Sequence, residues 1–160
     1  MRLIAIGITG IAALSVPGSA HPPASQRAVH STLSESGRGA AAIVDAFHNA
    51  LTRGDTRAAA ALLADDAVIF EEGGVERSKA EYQAHHLVAD AAFAKVVSSS
   101  VIRRAGNSTG TLAWIATEGR MTGAYKGKAV DRMTTETMLL RRFGRGWKIV
   151  HVHWSSGAAS

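Results

Sequence analysis

From residue 95 to residue 155 the chain is almost entirely strand-like, in segments at 95–104, 109–122, 129–142 and 146–155. The turns between them carry Gly106-Asn107, Gly123 through Gly127, and Gly144-Arg145-Gly146. Four long strands joined by short turns form an antiparallel sheet, and such a sheet twists and needs its apolar face covered. The cover comes from upstream. Residues 40–53 carry Ile43, Val44, Phe47 and Leu51 at helical spacing, with Gly54 as the stop. Asp55 is placed to cap a short second helix through Ala58 to Leu63. Ala67-Val68-Ile69-Phe70 reads as a strand closed by Gly73-Gly74. Ser78 and Glu81 have capping-box spacing and open a third helix with Tyr82, His85, His86, Ala89 and Phe93. Helices first and a hairpin-built sheet after them define an α+β fold.

The first twenty residues read differently. Met1-Arg2 is a short basic start, residues 3–16 are mostly apolar, and Gly18-Ser19-Ala20 presents small residues before His21. That is the layout of a secretory signal cleaved after Ala20. The apolar run falls short of the roughly 20 residues that span a bilayer. Residues 21–38, rich in Ser, Pro, Ala and Gly, form an expected flexible leader; the domain runs 39–156 and a tail 157–160. The expected location is periplasmic or secreted, with no membrane association once the signal is removed. Loss of Arg2 lowers the net charge from +5 to +4. The basic residues are scattered, and Arg103-Arg104 and Arg141-Arg142 read as solvated strand ends, so no nucleic-acid partner is expected. The chain has no cysteine, so packing alone stabilises it.

The last strand pair, TTETMLLRRFGRGWKIVHVHWSS from Thr134 to Ser156, resembles the C-terminal hairpin of SnoaL-like domains in the nuclear transport factor 2-like superfamily. It is also similar to the association domain of calcium/calmodulin-dependent kinase. Leu62-Leu63-Ala64-Asp65-Asp66-Ala67-Val68 resembles that superfamily's opening, and the resemblance covers about residues 40–156. It implies a ketosteroid isomerase-like or cystatin-like α+β roll: a cone-shaped, curved antiparallel sheet wrapped around N-terminal helices, with a pocket between them. It also implies a homodimer through the outer sheet face. The kinase domain's pocket arginines match Met138, Trp154 and a position near Ala116, so its way of holding an acidic ligand does not carry over. The fold hosts enzymes and binding modules alike.

Strand parity then selects the pocket. Val150, Val152 and Trp154 share one face of the last strand, with Trp147, Ile149, His151 and His153 on the other. Glu136, Met138 and Leu140 are placed inward on the preceding strand, and Leu112, Trp114, Ala116, Glu118 and Arg120 on the one before it. Glu136 and Glu118 are the candidate general bases, and Tyr82 and Arg120 the candidate stabilisers of negative charge. Tyr82, His86, Trp114, Arg120, Met138, Val152 and Trp154 are the candidate lining. The ligand class is a small apolar or mixed-polarity molecule, with no cofactor required. Glu118 and Arg120 can equally pair with each other. His85, His86, His151 and His153, with Glu71, Glu72, Glu76 and Asp90 nearby, are the alternative, a metal shell. The functional readings are an isomerase-like proton-transfer protein, a non-enzymatic dimeric binding module, and a metal binder.

Overall fold

A computed structural model describes residues 30–159; the expected signal and residues 21–29 lie outside them. The elements are β1 (His30–Leu33), α1 (Arg38–Arg53), α2 (Thr56–Leu62), β2 (Leu63–Glu71), β3 (Gly74–Glu76), α3 (Lys79–His85), α4 (Leu87–Ala94), β4 (Val97–Thr109), β5 (Leu112–Tyr125), β6 (Lys128–Phe143) and β7 (Gly146–Ala158). One curled, unclosed seven-stranded sheet has the order β1-β4-β5-β6-β7-β2-β3. Its centre, β4 to β7, is antiparallel. Both flanks depart from the expected antiparallel pattern, since β1 joins β4 and β2 joins β7 in parallel.

Local chemistry sets the helix ends. Gly54 adopts φ 73°, and its N–H bonds back to the last turn of α1. The Asp55 carboxylate accepts from the Ala58 N–H at 2.9 Å. Ser78 Oγ accepts from the Glu81 N–H at 3.1 Å, while Glu81 reaches back to the Arg77 N–H at 2.7 Å. The expected single third helix is two, broken at His86.

Three rows of directly paired residues cross the concave face. Leu63, Ile149, Leu140 and Ala113 form the first. Ile69, Val152, Met138, Ile115 and Gly106 form the second. Glu71, Trp154, Glu136, Thr117 and Arg104 form the third. The first two rows are buried against Val44, Phe47 and Leu51 of α1, with Tyr82 and Leu87 completing the core. The third is polar.

The rows revise three sequence expectations. The turn expected at Gly106-Asn107 lies at Gly110-Thr111, and Gly106 stays in β4. Directly opposed residues share a face, so inward Glu136 and Met138 require Thr117 and Ile115 inward on β5. Trp114, Glu118 and Arg120 therefore face outward. On β7 the register shifts between the pairs at Leu139 and Leu140, leaving Val150 as the extra residue. This bulge resets parity, so Trp147 and Ile149 are buried with Val152 instead of facing out. Residues 30–33, expected in the leader, are strand β1. Leu33 packs on the core, and Ser34 and Ser36 donate to Asn107 at 2.8 and 3.1 Å.

Gly106 shows how tightly this edge is packed. A Cβ there would lie 2.5 Å from Ile115 Cδ1, 2.8 Å from the Trp114 carbonyl oxygen and 2.9 Å from Leu33 Cδ2. Gly106→Ala is expected to destabilise the fold by about 1–3 kcal/mol, because the Trp114 carbonyl belongs to the ladder and cannot step aside. Urea denaturation checks this; an unchanged midpoint would contradict the packing.

Candidate functional site

The polar third row is where inward-facing chemistry concentrates. Glu136 is buried on β6 between Thr117 and Trp154. Its Oε2 accepts from Trp154 Nε1 at 2.7 Å and from His48 Nε2 of α1 at 2.6 Å. Its Oε1 is buried and has no partner among the described residues. Burial alone would raise this carboxyl, but the His48 hydrogen bond and charge, the Trp154 indole and the Arg104 guanidinium outweigh it and hold it below the ordinary carboxylate range. Phe47 stacks on Trp154 with centroids 6.2 Å apart, which fixes the indole.

Arg104, expected on the solvated surface, is buried beside this group. Its Nε donates to Thr117 Oγ1 at 3.1 Å and its Nη1 to Asp45 of α1 at 2.5 Å. The signal was spacing: Arg104 lies two residues from both Ile102 and Gly106, and all three are buried.

Glu71 ends β2 on the other side of Trp154, paired directly with it. Its carboxyl is pushed up to about 7, mainly by burial and then by the Asp90 charge, with His86 opposing. Asp90 on α4 is also raised, by burial, although the hydrogen bond from Tyr82 pulls the other way. The Tyr82 hydroxyl donates to Asp90 Oδ2 at 2.7 Å and is pushed up by burial and by that carboxylate. Trp154 thus stands between a carboxylate held ionised and a carboxyl held near neutrality. Sequence reading placed Glu71 only in a metal shell. Its parity with Ala67 and Ile69 would have turned it inward.

The remaining candidates disperse. Tyr82 is fully buried, and Met138 and Val152 form packed floor beneath the polar row. Trp114 is exposed at 44% on the outer face. Arg120 lies there too and donates twice to Asp131, both at 2.7 Å, so the alternative pairing with Glu118 gives way to a cross-strand pair with β6. Glu118 borders a depression of about 380 Å³, together with Arg103, Ala105, Thr135 and Thr137. The histidines do not converge. His85 and His86 both meet buried Glu76 at the α3–α4 break, the former at 3.2 Å. His151 gives its Nδ1 to the Val68 carbonyl at 2.9 Å, and with His153 it packs on Phe70. Among the described residues no three His, Asp or Glu side chains gather as a metal site.

The sequence profile of the SnoaL-like domain matches residues 40–159, and the chain belongs to that family. A candidate ketosteroid isomerase from Shewanella frigidimarina NCIMB 400 is 38% identical over 78% of this chain and 100% of its own, with a TM-score of 0.72. A candidate calcium/calmodulin-dependent protein kinase II association domain from Xanthomonas campestris is 21% identical, covering 84% and 99%, with a TM-score of 0.66. A candidate dehydratase of the NTF2-like family from Streptomyces avermitilis is 19% identical, covering 78% and 98%, with a TM-score of 0.67. The last two likenesses concern the fold alone. No protein of curated function matches in sequence.

The raised Glu71 carboxyl has a thermodynamic consequence. Between the ordinary value of 4.5 and about 7 the folded state holds a proton that the unfolded state has released. Stability therefore falls as pH rises through that window. Glu71→Gln should match the parent near pH 4 and become the more stable by about 1–2 kcal/mol above pH 7, the full linkage value being discounted for partial solvent access. Thermal melts across pH 4–8 check this; a constant difference would contradict the raised carboxyl.

Proposed function

We propose that this SnoaL-like domain takes a small, largely apolar molecule at the mouth of its cone and moves a proton on it, with Glu71 as the proton carrier. The observation that carries the reading is the pair of inward carboxyls flanking Trp154, pushed in opposite directions by their surroundings. Groups divided in this way suit separate acid and base roles. A carboxyl near 7 is half ionised at neutral pH, where it can both accept and return a proton efficiently. Glu136, tied to His48 and Trp154, keeps the opposite wall fixed. The likeness to the Shewanella protein supports isomerase-like chemistry as the reaction class. Of the two bases expected from sequence, Glu136 stays in the site as a binding group. Glu118, on the outer face, leaves it.

The same reading takes the domain to be exported, on the strength of the Arg2, apolar-run and Gly18-Ser19-Ala20 pattern. It also takes the domain to be a homodimer through the outer sheet face. Phe70, Trp114 and Leu139 are each at least 40% exposed on that face. A surface with such groups favours burial against a second copy. Trp114→Glu combined with Leu139→Glu should leave a folded monomer by light scattering at about 50 µM, where the parent is a dimer. A monomeric parent would refute the interface.

The catalytic assignment is tested on a panel of β,γ-unsaturated ketones, following conjugation of the double bond. Activity in the parent should rise with pH through about 7. Glu71→Gln should lower kcat by about 10²–10⁴-fold while the protein stays folded. Turnover that survives Glu71→Gln would remove Glu71 from the mechanism.

A further inference from the structure

Glu136 presents one oxygen that nothing among the described residues serves. Oε2 takes both available donors, His48 and Trp154, while Oε1 is buried and bare. An ionised carboxylate accepts at both oxygens, and leaving one unpaired away from water is strongly unfavourable. The two donors on Oε2 reach toward solvent: the His48 side chain is 40% exposed, and Trp154 is only partly covered. We propose that Glu136 Oε1 is the docking point for a ligand hydroxyl, so that the cone selects small apolar molecules carrying a neutral hydrogen-bond donor. This rests on the reading that the cone mouth admits a small molecule, and it deepens that reading by naming the ligand's polar group.

Charge decides between donor classes. An anionic ligand group would meet the Glu136 carboxylate head-on. A cationic group would meet Arg104, which already acts on that carboxylate and is itself held by Asp45 and Thr117. A neutral O–H brings one proton to one acceptor and disturbs neither. A plain ketone, with acceptors only, leaves Oε1 unserved, so a carbonyl compound suited to this site also carries a hydroxyl within reach of Glu136. Glu71, across the indole, remains free for the reacting end of the molecule.

The test is calorimetric titration of the purified protein with 2-naphthol, its methyl ether 2-methoxynaphthalene, and a naphthylmethylammonium salt. These probes share one apolar body and differ in the polar group. The parent should bind 2-naphthol at least about tenfold tighter than the ether, the size expected for a hydrogen bond to a charged acceptor. Glu136→Gln, which places an amide in the same volume, should abolish that preference, and Glu71→Gln should retain it. Equal binding of naphthol and ether by the parent would overturn the proposal while leaving the small-molecule reading standing. Tighter binding of the ammonium probe would also overturn it, in favour of a cation site. No binding of any probe up to millimolar concentration would overturn both. The parent's naphthol-to-ether ratio decides the matter even if Glu136→Gln fails to fold.

Discussion

The contact between α1 and the concave face of the sheet is what the rest of the molecule depends on. β6 alone is 16 residues long, and its inward side chains Met138 and Leu140 cannot be left in water. Val44, Phe47 and Leu51 cover them, and the sheet curls to close around that single helix. Because opposed residues in a ladder share a face, burying one strand's inward set assigns the inward set of every neighbour. Two rows are filled by apolar side chains. The third lies at the edge of the apolar stripe on α1, where Phe47 stacks on Trp154, and its polar members meet Asp45 and His48 instead. The polar site is thus a consequence of where the helix's apolar contacts end.

Much of the fold was legible because its signals are local. Gly54 and Asp55 mark a helix end and a helix start through their own backbone and side-chain hydrogen bonds, and Ser78 with Glu81 marks another. The four long strands follow from composition and turn residues, and the hairpin around Gly144 follows from its glycines. The resemblance carried by Thr134 to Ser156 pointed to the right family. What could not be read was the parallel seating of β1 and β2, since neither strand is joined to its partner by a turn. The bulge at Val150 was equally invisible, because no residue type requires one there, and it reversed the faces of Trp147 and Ile149.

The site was harder to read for the same reason. Placing Trp114 inward carried Glu118 and Arg120 with it, a whole strand face turned by one choice. Glu136, Met138 and Val152 are buried and Trp154 pairs directly with Glu136, because their strands alternate cleanly near that pairing. By type Arg104 reads as a surface charge and Glu71 as part of a metal shell. Their burial comes from neighbours distant in sequence: Asp45 and Thr117 for the first, Asp90 and Trp154 for the second.

The resulting site has two carboxyls on one row, separated by an indole, in environments that favour opposite protonation states. Glu136 has donors on one oxygen and a guanidinium nearby, whereas Glu71 has burial and a like charge. That contrast is the central claim, and carbon-13 NMR of the protein labelled at glutamate Cδ, titrated from pH 3 to pH 9, measures it directly. The Glu71 resonance, assigned by its loss in Glu71→Gln, should move with a midpoint near 7, while the Glu136 resonance stays that of a carboxylate to below pH 4.5. Coincident midpoints near the ordinary glutamate value, or a Glu136 that takes up its proton at neutral pH, would contradict the account.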